Sequence, residues 1–127
     1  MRSLWRILAL PKGEEELMDY NINEVANDLM VEPDDLREVY EAYFIESAEI
    51  ISEIKTALEN NDAMKLKKMF HSLKGSSANL RMDAVADLAR NMEQSAEKNK
   101  LDAIRLQMSK VEQEISELQQ GIQNFYR

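Results

Sequence analysis

The sequence predicts an all-α protein: an antiparallel up-down four-helix bundle with a short extra N-terminal helix capping one end. Three observations carry that prediction. Apolar residues recur at three- and four-residue steps through four long stretches. Short polar turns separate the stretches, as in bundles whose consecutive helices are neighbours. No stretch shows the sustained period-two alternation of a half-buried strand.

The division this implies is a tail or linker over 1–20 and a bundle over 21–127. In the tail, Leu4, Trp5 and Leu8 set against Arg2 and Arg6 outline a short amphipathic helix that Pro11 and Gly13 would end. Arg6 interrupts the apolar stretch and no small-residue cleavage site follows, so it does not read as a secretory signal. Asn21 to Met30, with Ile22, Val25 and Leu29, is the short capping helix. Pro33 with Asp34 and Asp35 starts the next helix, because proline tolerates a first turn and acids favour its positive end. Leu36, Tyr40, Tyr43, Phe44, Ile51, Ile54 and Leu58 then mark about seven turns of helix.

Asp62 is placed to cap the second long helix, whose apolar line is Leu66, Met69, Phe70, Leu73 and small Ser77. Asn79 to Met82 interrupts it, with Asn79 suited to the left-handed conformation of a helix end. Asp83 opens a third helix carrying Val85, Leu88, Ala89, Met92 and Ala96. After the polar turn Glu97 to Lys100, Ile104, Met108, Val111, Ile115, Leu118, Ile122 and Phe125 form a heptad seam, assigned to packing within the chain. Met64, Met69, Met82, Met92 and Met108 are expected in or near the core.

Composition narrows function. The 127 residues suit one domain with a single core. With 16 basic and 24 acidic residues the net charge is −8, which argues against a general nucleic-acid or anionic-membrane binder. The absence of cysteine removes disulfides, thiol catalysis and cysteine-ligated zinc. No apolar run has the ~18–20 residues needed to span a bilayer. The expectation is a cytoplasmic monomer.

Attention then falls on Phe70 to Leu80 and its His71, the only histidine. Phe70 and Leu73 face the core, so His71 must point to solvent, with Lys67 one turn before it, Lys68 three residues before it, Lys74 and Gly75 one turn after it, and Ala78 two turns after it. A glycine inside a helix costs about 1 kcal/mol relative to alanine, and clearance for an approaching partner is a reason to keep one. One histidine is too few for a metal site, and Lys68 breaks the Glu-x-x-His pattern of di-iron bundles. Ser72, Ser76 and Ser77 lack a nucleophile elbow, and no glycine-rich loop cradles phosphate. A neutral imidazole is a nucleophile able to form a covalent intermediate. Nearby lysines would keep the ring unprotonated and attract a phosphoryl group. With no nucleotide site or general acid beside it, that chemistry is a carrier's: His71 takes phosphoryl from one protein and gives it to another.

The run His71, Leu73, Lys74, Gly75, Ser76 and Ser77 resembles the His-x-Leu-Lys-Gly-Ser/Ala-Ser/Ala pattern of histidine-containing phosphotransfer (HPt) domains. The resemblance covers about Asn21 to the C-terminus, including Leu88 and Glu93 of the following helix. It implies that His71 is the phosphoacceptor, that Lys74 stabilises the phosphoryl group, and that Gly75 permits docking. Ala78, Lys67 and Lys68 complete the expected docking surface. It implies as partners a response-regulator receiver domain and a hybrid or sensor histidine kinase. The chain would need no cofactor or metal of its own, Mg²⁺ being bound by the partner receiver. Members often carry glycine and alanine after the Asn-Leu pair, where this chain has Arg81 and Met82. The rival expectation is a helical adaptor that binds through the seam or the lysine patch, with His71 incidental.

Overall fold

A computed structural model describes residues 20–127, and the tail expected over 1–20, with its Leu4–Trp5–Leu8 pattern, lies outside them except for Tyr20. The described residues form five α-helices and no strand: α1 (Ile22–Leu29), α2 (Arg37–Glu59), α3 (Ala63–Asn79), α4 (Asp83–Glu97) and α5 (Leu101–Phe125). A 3₁₀ turn, Pro33–Leu36, leads into α2. None of these helices is long and apolar enough to cross a membrane.

The helices assemble as a helical bundle because each carries an apolar stripe too wide to leave in water. α2 packs on α3, α3 on α4, α4 on α5, and α5 returns to α2. Tyr40, Ile54, Leu66, Phe70, Leu73, Met92, Ile104 and Val111 are fully buried where those stripes meet. Polar links tie the helices at matched heights. The Tyr43 hydroxyl bonds the Ser77 hydroxyl at 2.8 Å in the core, and Lys55 Nζ reaches Glu112 at 3.0 Å between α2 and α5. Tyr20 bonds both the Tyr40 hydroxyl and the Leu80 carbonyl, which fixes the start of the described chain against α2 and the α3–α4 turn.

The C-terminal ends of α1 to α4 follow one rule. Val31, Asp62, Met82 and Lys100 donate their N–H groups to the carbonyls of Ala26, Ala57, Ser77 and Ser95, each five residues back. That closure demands a left-handed residue just before the donor. Met30, Asn61, Arg81 and Asn99 supply it, with φ between 53° and 62°. At the end of α3 the left-handed residue is therefore Arg81, not Asn79, which stays helical. Asparagine tolerates this conformation, but a long side chain does not gain from it. Arg81→Gly should stabilise the fold by about 0.5–1 kcal/mol, read as a higher urea midpoint at unchanged slope.

Side-chain caps place the starts of α1 and α3. Asn21 Oδ1 accepts from Glu24 N at 3.1 Å, and Asp62 Oδ1 accepts from Lys65 N at 3.1 Å, as the sequence leads one to expect at Asp62. Pro33 opens a 3₁₀ turn and not α2 itself, because Asp35 N bonds the Glu32 carbonyl and Asp35 Oδ2 accepts from Glu32 N at 3.0 Å.

Three apolar assignments change. Met64 is 84% exposed and so is not core filler; it lies off the Leu66–Phe70–Leu73 stripe, whereas Met82, Met92 and Met108 are buried. On α2 the buried position is Ile50, with Ile51 only half-buried beside it. At the C-terminus the seam ends before Phe125, which is 44% exposed. Tyr126 turns inward in its place, its ring 6.2 Å from that of Tyr40 and its hydroxyl donating to the Pro33 carbonyl.

Candidate functional site

α3 positions the site. Phe70 and Leu73 are fully buried, which fixes the rotation of the helix and turns His71 outward with its side chain 68% exposed. Met64, Lys67, Lys68, Gly75 and Ala78 emerge on the same side at three- and four-residue steps, all exposed. A Cβ added at Gly75 would meet nothing within 4 Å. Nothing inside the fold therefore requires glycine there.

The neighbourhood of the imidazole differs from the expectation of lysines alone. Glu93 of α4, a side chain only 15% exposed, reaches across to it, with Oε2 3.0 Å from His71 Nδ1. Its other oxygen, Oε1, accepts from Lys74 Nζ at 2.8 Å. One carboxylate thus engages both residues. The lysine patch is also partly neutralised, since Lys67 Nζ pairs with Glu97 at 3.3 Å. Lys68 remains exposed on the face.

Lys74 chiefly holds the Glu93 carboxyl below the usual carboxylate range, against the opposing effect of partial burial, and the His71 contact adds to the lowering. The lowered value means that this pair's contribution to stability is present above the ordinary carboxylate pKa and is lost as pH falls through the lower folded value. At neutral pH the carboxylate is ionised and can only accept hydrogen bonds, so Nδ1 carries the proton and donates it. In the neutral ring this leaves the lone pair on Nε2, which has no partner among the described residues.

His71, Lys74 and Gly75 are therefore brought together on one exposed face, with Ala78, Lys67 and Lys68 around them. Glu93 and Met64 join that face without having been singled out for it by the sequence. Met64 was legible in principle, because it stands seven residues before His71 and shares its helix phase. Glu93 was not, since its approach depends on how α4 packs on α3. Among the described residues no group of three or more acidic or histidine side chains is placed to hold a metal.

No curated protein and no solved structure matches the chain closely enough to stand as a relative. The family model described as "Hpt domain" matches residues 38–121, a span that takes in α3, α4 and nearly all of α2 and α5. With two thirds of its length matched and its one histidine exposed on a helical bundle, the chain belongs to the Hpt domain family, the histidine phosphocarriers of two-component signalling.

Proposed function

We propose that the chain is a phosphorelay intermediate in which His71 accepts a phosphoryl group from a receiver-domain aspartate or a kinase. It then passes the group to the receiver aspartate of a response regulator. The observation that carries this reading is His71 itself, the only histidine, exposed, with Nδ1 committed to Glu93 and Nε2 free to attack. Lys74, one turn on, supplies positive charge for the phosphoryl oxygens. Gly75 and Ala78 keep the surface low, Lys67 and Lys68 add charge at its edge, and Met64 offers an apolar contact for the docked receiver.

The reading gives the chain no cofactor of its own, and Mg²⁺ enters with the partner receiver. It takes 21–127 as the phosphotransfer unit, an antiparallel up-down bundle capped by α1, and 1–20 as a tail whose last residue is tied to it through the Tyr20 hydroxyl. It places the protein in the cytoplasm as a monomer, where receivers and the catalytic parts of sensor kinases operate.

Incubation with a phosphate-labelled receiver should transfer acid-labile, alkali-stable label to the wild type and none to His71→Gln. Equal labelling of the two would overturn the proposal.

A further inference from the structure

Two hollows run end to end between α2 and α5, whereas His71 and Glu93 lie on α3 and α4. The larger, about 660 Å³, is walled by Tyr40, Phe44, Ile45 and Ile122. The smaller, about 240 Å³, shares Phe44 with it and reaches Ile51. Together they make one mainly apolar groove, about 21 Å long from Arg37 to Ile51 along α2. Ile45 stands in it 64% exposed, a large apolar side chain left in water. We propose that this groove is the docking site of the chain's own N-terminal segment, with Leu4, Trp5 and Leu8 seated on it. The inference is independent of what His71 does.

The described chain starts beside one end of this groove. The Tyr20 hydroxyl lies 2.7 Å from that of Tyr40, and its ring meets the Tyr40 ring edge-on at 6.1 Å. Tyr40 is itself a wall of the groove. The connector 9–19 extends up to about 36 Å, so it can seat Leu8 anywhere along the groove. A segment tethered in this way meets its site at an effective concentration on the order of millimolar, which a separate partner does not have.

The segment and the groove also match in character. At about 100° per residue, Leu4, Trp5 and Leu8 share one side and Arg2 and Arg6 lie on another. Residues 1–13 hold Arg2, Arg6 and Lys12 and no acid, whereas α2 holds six acids against two bases. Glu41 lines the groove and Glu49 is exposed one turn past Ile45, so its α2 rim is acidic. The groove's own arginines are engaged. Arg37 stands 5.8 Å over the Tyr126 ring and 4.0 Å from Glu41, and Arg127 donates to Asn124. A second cleft, about 650 Å³, is lined by Tyr20 itself and by acids that include Glu24, Asp83 and Glu114. Its apolar lining fits less well, because Val25, Met82 and Leu118 are already buried and leave little for Leu4, Trp5 and Leu8 to cover.

Trp5 is the only tryptophan, so its fluorescence reads the segment alone. The full chain is compared with Ile45→Lys, which puts a charge in the groove at an exposed position, and with Leu106→Lys, a control at an exposed position of α5 outside it. Wild type and control should emit to the blue of the urea-unfolded protein and resist acrylamide quenching, independently of protein concentration. Ile45→Lys should move the emission to the unfolded value and raise quenching several-fold, with its helical circular dichroism unchanged. Ala48→Lys, exposed in the same groove, repeats the test if the first variant loses helix. Unfolded-like emission from the wild type would overturn the inference, as would protection of Trp5 that survives the groove variants. Protection lost in Glu114→Lys instead would overturn it in favour of the acidic cleft, and protection that fades on dilution would overturn it in favour of a second copy.

Discussion

Gly75→Leu should abolish most phosphoryl transfer while making the bundle more stable. The free protein has room for the side chain, since the space around the Gly75 Cβ position is open to 4 Å. Leucine is also the better helix former, by about 0.8 kcal/mol. On the proposed reading, a docked receiver would leave no such room. Transfer requires phosphorus to approach Nε2 to about 3–3.5 Å, and a displacement of about 1 Å at that stage costs on the order of 10²-fold in rate. A leucine one turn from His71 would stand between the two proteins and impose a larger shift. The measurement pairs a transfer time course with a urea melt. A roughly hundredfold slower transfer with a raised midpoint is expected, and undiminished transfer would remove the reason given for the glycine.

Phe70→Ala should produce the largest loss of stability. Phe70 is fully buried beside Leu66 and Leu73, and truncation of a buried phenylalanine costs about 3–5 kcal/mol in lost burial and residual cavity. Against a typical total of about 5–15 kcal/mol, that is a large share of what holds a domain of this size folded. The same residue sets the rotation of α3, so the site depends on it without contacting substrate. Chemical denaturation at neutral pH measures the loss, and a change under about 1 kcal/mol would mean that α3 is not anchored there.

These two predictions stand on adjacent parts of one helix, and they differ in how legible they were. Helical phase is a property of a single segment, so Phe70, Leu73 and Ser77 inward and His71, Gly75 and Ala78 outward could be read from α3 alone. The Asp62 cap was equally local. The Glu93 contact was not local. It joins residues 22 apart on two helices, and the distance between them is set by the packing of α3 on α4. The lysines were therefore read as facing the imidazole unopposed, when Lys74 and Lys67 are engaged by acids of α4. Turn chemistry misled in a smaller way. Asn79 is the residue whose propensity suits a left-handed helix end, but the bond from Met82 N to the Ser77 carbonyl requires that conformation at Arg81. Geometry overrode preference there. Met64 was assigned by residue type instead of by phase, and phase was the better guide.

The pairing of His71 with Glu93 gives the proposed phosphoacceptor a direction. A proton held on Nδ1 leaves Nε2 as the nucleophile, so the bond to phosphorus must form there. Phosphorylation of protein carrying ¹⁵N-labelled histidine, read by nitrogen–phosphorus coupling, tests this most directly. The account predicts coupling at Nε2 of His71, with Nδ1 still bearing its proton. Coupling at Nδ1, or phosphorus on any residue other than His71, would contradict it.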